Sequence, residues 1–359
     1  MKIGILGLAQ TGKSTIFSLL TNTPYEAGFK IESDEKIAFV RDERVIQLVK
    51  MYKPEKTVFA TLNFIDIPGF DLTAPRKEKN RILQMIQNVD ALLLVIRAFE
   101  NDQVLFPDGH ETPLAQLSTL RTELIIRDME VVENRLERMI LTAKKKKPTP
   151  QEEREQLLLT EIKASLEAEN FASAQGFSED DKKILGSMAL FTLKPIIVLI
   201  NLDENQLKGQ SYPQKEAIQA ECQAQHFAAL ELSGKIESDL VEFSEEEKAE
   251  FLKEVGVTRP GIDRLSKLVY DHVGLISFFT VGADEVRAWT INTNTTMKSA
   301  AGKIHTDLEK GFVKAESMHY SDLYRLGSEE KVKQAGLWKL SGKDEIVDDG
   351  HILTIRANA

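Results

Sequence analysis

The sequence predicts an α/β domain with a parallel-rich, doubly wound sheet, an α-helical hairpin inserted into it, and a compact α+β domain at the carboxyl end. Three observations carry this. Near-continuously apolar runs at residues 3–6, 62–65, 91–96 and 195–200 have the length of strands buried on both faces of a parallel sheet. Helical stretches at 14–20 and 77–87 fall between them, and strands alternating with helices make a doubly wound sheet. After residue 275 the pattern changes to short strands, at 276–281, 286–291 and 351–355, around a helix at 300–308.

The first run feeds directly into a glycine-containing turn, so the chain is expected to begin as a strand and not as a signal peptide. Between the third and fourth runs, Ile125, Met129, Val132, Leu136 and Met139 recur at spacings of four and three within residues 117–141, a coiled-coil-like seam. Lys144, Lys145, Lys146, Lys147, Pro148, Thr149 and Pro150 then end the helix, because proline cannot continue it. A second helix follows with Leu159, Ile162 and Leu166 in register, and the two form an antiparallel hairpin. A last helix from Pro260 and Gly261 to Val273 closes the first domain. The expected division is residues 1–107 with 191–275 for the α/β domain, 108–190 for the hairpin, and 276–359 for the final domain.

Composition narrows the function. With 42% hydrophobic and 28% charged residues, the 359-residue chain is globular, and its apolar runs are far shorter than a membrane span. Cys222 is the single cysteine, which excludes an internal disulfide and a cysteine-cluster zinc site and fits a cytoplasmic setting. A net charge of −10 means that nucleic acid would have to be met through local basic patches.

The chemistry begins at Gly7-Leu8-Ala9-Gln10-Thr11-Gly12-Lys13-Ser14-Thr15, which matches a phosphate-binding loop with a strand before it and a helix after it. Backbone N–H groups of Gln10 to Thr15 and the helix amino terminus would cradle phosphates, Lys13 would neutralise the β/γ oxygens, and the Ser14 hydroxyl would ligate Mg²⁺. Asp66-Ile67-Pro68-Gly69 ends the second run, where Asp66 would reach Mg²⁺ directly or through water and the Gly69 N–H would touch the γ-phosphate. Asn201-Leu202-Asp203-Glu204 follows the fourth run, where GTPases of this class carry Asn-Lys-x-Asp. Glu204 stands in place of the guanine-reading aspartate and Leu202 in place of the base-flanking lysine. Losing a paired acceptor at a base edge is worth roughly 1–3 kcal/mol, enough to change the preferred base. Ser233-Gly234-Lys235 resembles the last base-contacting loop.

These residues, in this order, resemble the Obg-like ATPase family, also called YchF. Arg97-Ala98-Phe99-Glu100-Asn101-Asp102, Thr192-Leu193-Lys194-Pro195, Val286-Arg287-Ala288-Trp289-Thr290 and the stretch from Ala300 to Asp307 strengthen the resemblance, which covers nearly the whole chain. It implies a G domain with a helical insertion, a carboxyl-terminal β-grasp (TGS-like) domain, and an ATP-preferring NTPase with GTP as the alternative substrate. It also implies ribosome or RNA contact through the final domain and the hairpin.

Departures from the family pattern bear on turnover. Ala9-Gln10-Thr11 replaces the usual Pro-Asn-Val, which puts monovalent-cation coordination at Gln10 in question. In the first switch, the position of the Mg²⁺-ligating threonine falls on Lys30, whose ammonium has no lone pair for a cation. Either Mg²⁺ relies on Ser14, phosphates, water or a hydroxyl such as Ser33, or Lys30 contacts phosphate. The second switch has no glycine from Asp71 to Lys79, and the water-orienting glutamine of Ras-like enzymes is replaced by Phe70, a hydrophobic substitution that the family shares. Slow intrinsic hydrolysis follows; the competing reading is a nucleotide-binding scaffold that has lost turnover. Lys144 to Lys147 are either a solvated turn or an RNA-phosphate contact, and Lys298, Lys303, His305, Lys310 and Lys314 mark a second basic stretch.

Overall fold

The computed structural model describes residues 1–24, 32–101, 106 and 112–358. Its first sheet contains β1 (Lys2–Leu6), β2 (Asp34–Val40), β4 (Ala60–Asp66), β5 (Ala91–Arg97), β6 (Ile196–Asn201) and β7 (Ala228–Leu232), after β3 (Lys56–Val58) is set aside for the second sheet. The order is β2-β4-β1-β5-β6-β7. β1 pairs in parallel with β4 and β5, β5 with β6, and β6 with β7. Every residue of β5 and β6 is buried, as their unbroken apolar sequence requires of strands covered on both faces. Helices α1 (Lys13–Thr21), α2 (Glu43–Tyr52) and α3 (Arg76–Met85) follow β1, β2 and β4.

The inserted hairpin consists of α4 (Pro113–Ala143) and α5 (Pro150–Glu167). Each begins with a proline in its first turn behind a capping threonine: Thr112 accepts from the Ala115 N–H, and Thr149 forms a reciprocal capping box with Glu152. At 1.5 Å per residue, α4 is about 45 Å long. On the expected seam, Ile125 and Val132 are buried and Met129, Leu136 and Met139 partly so, against Leu158, Leu159, Ile162 and Leu166. Asp128 lies on the buried side of α4 as well. Its carboxylate accepts from the Phe191 N–H (3.0 Å), the Thr192 N–H (2.7 Å) and the Thr192 hydroxyl (2.7 Å). Burial pushes this carboxyl up to about 6 against the pull of the three donors. Cys222 is buried too, and burial raises its thiol to about 11.

By contact the chain forms two units, Met1–Lys36 with Asn63–Ile262, and Ile37–Leu62 with Asp263–Ala359. Residues 37–62, expected in the nucleotide domain, thus fall in the second unit. Two features hold them there. β3 pairs in parallel with β9 (Glu285–Asn292), and Arg44 forks onto Asp349 at 2.7 and 3.1 Å. With β8 (Leu275–Val281), β10 (Phe312–His319), β11 (Lys339–Ser341) and β12 (His351–Ala357), the second sheet runs β11-β10-β12-β8-β9-β3. β8 and β9 are antiparallel, as are β10 and β12, whereas β12 and β8 are parallel. Phe278, Ile291, Met297, Ala300, Ala315 and Leu353 fill its core.

The helix expected over 300–308 is two helices, Met297–Ile304 and Thr306–Lys310. His305, with extended φ −160° and ψ 143°, breaks them apart, and its ring nitrogen accepts from the Asp307 N–H at 3.2 Å. That capping bond accounts for this histidine.

Candidate nucleotide-binding site

The phosphate loop spans the end of β1 and the start of α1. Gly12 has φ +91°, the left-handed region, and a Cβ there would collide with the Asn201 side-chain amide. Gln10 also has positive φ, +63°, and is exposed at the top of the turn. Thr11 is buried, and its hydroxyl donates to the Leu8 carbonyl at 3.2 Å. Lys13 is buried and its ammonium donates to the same carbonyl at 2.8 Å. Thr15 follows on α1 and is half-buried.

Ser14 and Asp66 are brought together: the Ser14 hydroxyl donates to Asp66 Oδ2 at 2.9 Å. Asp66 closes β4 and is fully buried. A hydroxyl facing a carboxylate is the hard-oxygen donor set that Mg²⁺ takes, and the pair fits that ion. Gly69 follows against the loop, where a Cβ would press on the Ala9 Cα at 3.0 Å. The Phe70 N–H donates to the Gly7 carbonyl at 3.1 Å, and Phe70 pairs with Leu8 as an isolated parallel bridge. Its ring is buried and carries no polar group to orient water. Asp71 accepts from the Thr73 hydroxyl and N–H, which hold its carboxyl below the usual range.

Asn201, the last residue of β6, ties two loops together. Its amide donates to the Thr11 carbonyl at 3.0 Å and its oxygen accepts from the Gly234 N–H at 2.9 Å. Its own carbonyl accepts from the N–H groups of Ala98 and Phe99, at 2.9 and 3.1 Å. Ser233 is buried and caps the helix Gly234–Glu242 by accepting from the Ile236 N–H. Glu204 is exposed at the first position of the helix Glu204–Gly209, 3.1 Å from Lys208, while Asp203 caps that helix through the Gln206 N–H.

Leu202 departs from its expected place beside the base. It is 2% exposed and belongs to the main apolar core, with its N–H on the Leu232 carbonyl. An apolar residue one step past a fully buried strand continues into the core, whereas a lysine there would have to emerge. Lys30 lies outside the described residues.

Several supporting residues were not singled out from sequence. Gln116 on α4 grips the backbone of Arg97 from both sides, accepting from its N–H at 2.8 Å and donating to its carbonyl at 2.9 Å. The buried Arg97 guanidinium stacks on Phe99 and Phe106 at 4.5 and 3.9 Å. Arg76 and Lys79, in the first turns of α3, both reach Glu123 of α4, and Arg76 also reaches Glu130. The spacing of Arg76 and Lys79, one helical turn apart, was the available signal; their partners are remote in sequence.

The chain is similar over its length to known proteins. A family model described as a 50S ribosome-binding GTPase matches residues 2–202, and the YchF-GTPase carboxyl-terminal model, described as a protein of unknown function, matches residues 275–358. The chain is 35% identical to the ribosome-binding ATPase YchF of Bacillus subtilis, over 99% of this chain and 98% of that one. It is 34% identical to Obg-like ATPase 1 of Caenorhabditis elegans, over 100% of this chain and 92% of that one. Among solved structures, the Schizosaccharomyces pombe YchF GTPase superposes with a TM-score of 0.86 at 32% identity, covering 99% of this chain and 97% of that one.

Proposed function

Because the chain belongs to the YchF family of Obg-like ATPases, we propose that it is a nucleoside triphosphatase whose nucleotide state gates its association with the ribosome. The observation that carries the reading is the convergence of Lys13, Ser14, Asp66 and Asn201 around one phosphate loop. Loop N–H groups from Gln10 to Thr15 bind the α- and β-phosphates at the amino terminus of α1. Lys13 leaves the Leu8 carbonyl for the β/γ oxygens. Ser14 and Asp66 would hold Mg²⁺, which when bound draws charge from the same oxygens. The Gly69 N–H meets the γ-phosphate and so reports its presence to the segment that leads into α3. Glu204 faces the base edge in place of an aspartate, and Ser233-Gly234, fixed by Asn201, closes the other side. ATP is preferred over GTP on this account.

Hydrolysis is slow in the isolated protein, because Phe70 is buried on the loop backbone and supplies no group to position water. Acceleration then comes from a partner, and ribosome-associated members of the family point to the ribosome as that partner, met through the hairpin and the carboxyl-terminal unit. Among the described residues no helix is long and apolar enough to cross a membrane. The test is single-turnover hydrolysis of ATP and of GTP, with and without purified ribosomes, beside co-sedimentation with ADP, a non-hydrolysable ATP analogue or no nucleotide. Stimulated ATP turnover and nucleotide-dependent sedimentation are expected. Tight ATP binding with no turnover under either condition would replace this reading by that of a scaffold.

A further inference from the structure

Along the two helices of the hairpin, Arg121, Arg127, Arg135, Arg154 and Lys163 are each in an ion pair. Arg135 meets Glu155 at 2.7 Å, Lys163 meets Glu133 at 2.9 Å, and Arg154 meets Asp181 at 2.9 Å. The turn between α4 and α5 differs. Arg138 and Lys144, Lys145, Lys146 and Lys147 make no ion pair among the described residues. Residues 137–153 hold these five cations against three carboxylates, in a chain of net charge −10. One of the three, Glu152, is already engaged by the Thr149 N–H at 2.7 Å and the Thr149 hydroxyl at 2.9 Å. Arg138, Met139, Thr142, Lys146, Lys147 and Gln156 line a cleft where the two helices part. Ile140 and Leu141 stand beside it, 51% and 59% exposed.

A cation at a helix carboxyl end offsets the macrodipole, an effect of about 0.3–1 kcal/mol that falls off within one turn. That explains one or two of these charges. Four lysines on one turn, with Arg138 near the end of α4, repel each other, and a polyanion relieves the repulsion. We propose that the hairpin tip is a docking surface for the phosphate backbone of RNA, with Arg138 and Lys144 to Lys147 as its contacts and Ile140 and Leu141 packing on the sugar edge. The proposal deepens the ribosome reading above and rests on it for the choice of RNA over another polyanion. The net negative charge of the chain disfavours RNA elsewhere by bulk attraction, so contact depends on a local basic patch such as this tip.

The test uses the full-length protein with K144S/K145S/K146S/K147S, with R138S, and with K182S/K183S as a control in which the lysines removed are paired with Glu179 and Asp180. Binding is measured to a labelled short RNA hairpin, to purified ribosomes, and to vesicles of phosphatidylcholine with phosphatidylserine, across a salt series. ATP binding reports the fold of each variant. The quadruple variant should lose at least about tenfold in RNA affinity, and its log–log salt slope should fall by about three to four. R138S should lose less and the control nothing. Wild-type RNA affinity and slope in the quadruple variant, or wild-type protein that binds vesicles and not RNA, overturns the proposal. Wild-type protein that binds the RNA hairpin through the tip yet ignores ribosomes in every nucleotide state removes the ribosome reading and leaves the RNA site standing.

Discussion

Glu123 of α4 accepts from Arg76 at 3.0 Å and from Lys79 at 2.7 Å, so one carboxylate holds two successive turns of the helix that follows the Asp66-to-Gly69 segment. Glu123 is largely buried, and the pairs are shielded beyond what surface ion pairs enjoy. Removing its charge should free the start of α3 and leave the cores untouched. Glu123→Gln should raise hydrogen exchange over residues 71–80 by roughly 5–30-fold, corresponding to a loss of about 1–2 kcal/mol of local stability. Unchanged exchange in that segment would mean that the two ion pairs carry no restraint.

Lys13→Ala should weaken triphosphate binding by at least about a hundredfold while the fold survives. The Leu8 carbonyl that Lys13 contacts keeps the Thr11 hydroxyl as a donor. Circular dichroism and a fluorescent-nucleotide titration together decide this. Unaltered spectra with unaltered affinity would place the phosphates elsewhere.

The base preference divides into two separate substitutions. Glu204 is exposed and paired with Lys208, outside the core, and Glu204→Asp should move selectivity toward GTP in competition titrations, by up to about tenfold. Leu202→Lys should instead destabilise the protein by about 2–5 kcal/mol, because it buries an ammonium in the apolar core. A soluble, stable Leu202→Lys with improved GTP binding would show that residue 202 faces the base after all.

Asp128 makes stability depend on pH in a predictable direction. Its folded-state value, about 6, lies above that of an exposed aspartate, so the folded protein binds the proton more tightly than the unfolded chain. The resulting stabilisation is full below about pH 4 and is lost as pH rises through 6, on the order of 2–3 kcal/mol. Asp128→Asn removes this titration. The difference in unfolding free energy between wild type and Asp128→Asn should therefore favour wild type more at pH 4.5 than at pH 7. A difference independent of pH would mean that Asp128 titrates normally.

Fold and site were legible to different depths. The buried parallel strands, the hairpin and the phosphate loop announce themselves through local patterns: unbroken apolar runs, a four–three seam, and glycines at fixed spacing. β2 and β3 were not visible, since Asp34–Val40 opens with three charged residues and Lys56–Val58 is three residues long. Residues 37–62 group with the second unit because β3 pairs with β9 and Arg44 meets Asp349 across more than two hundred residues of chain, which no local pattern encodes. At the site, the identity of Asn201 was evident from its motif, whereas its role as a bridge between Thr11 and Gly234 required three segments in space. Leu202 was misplaced for a similar reason. The motif fixes the order of residues, and burial decides which of them face the ligand.

Cys222 offers a practical handle. Its thiol is the chain's single one, is buried, and at about 11 stays protonated at neutral pH, so alkylating and maleimide reagents should pass it by. The natural sequence therefore behaves as a cysteine-free background. A cysteine introduced at Lys147 would accept a single dye on the hairpin tip with nothing else on the molecule labelled. Binding of RNA at that tip would then be read by fluorescence in the otherwise unmodified protein.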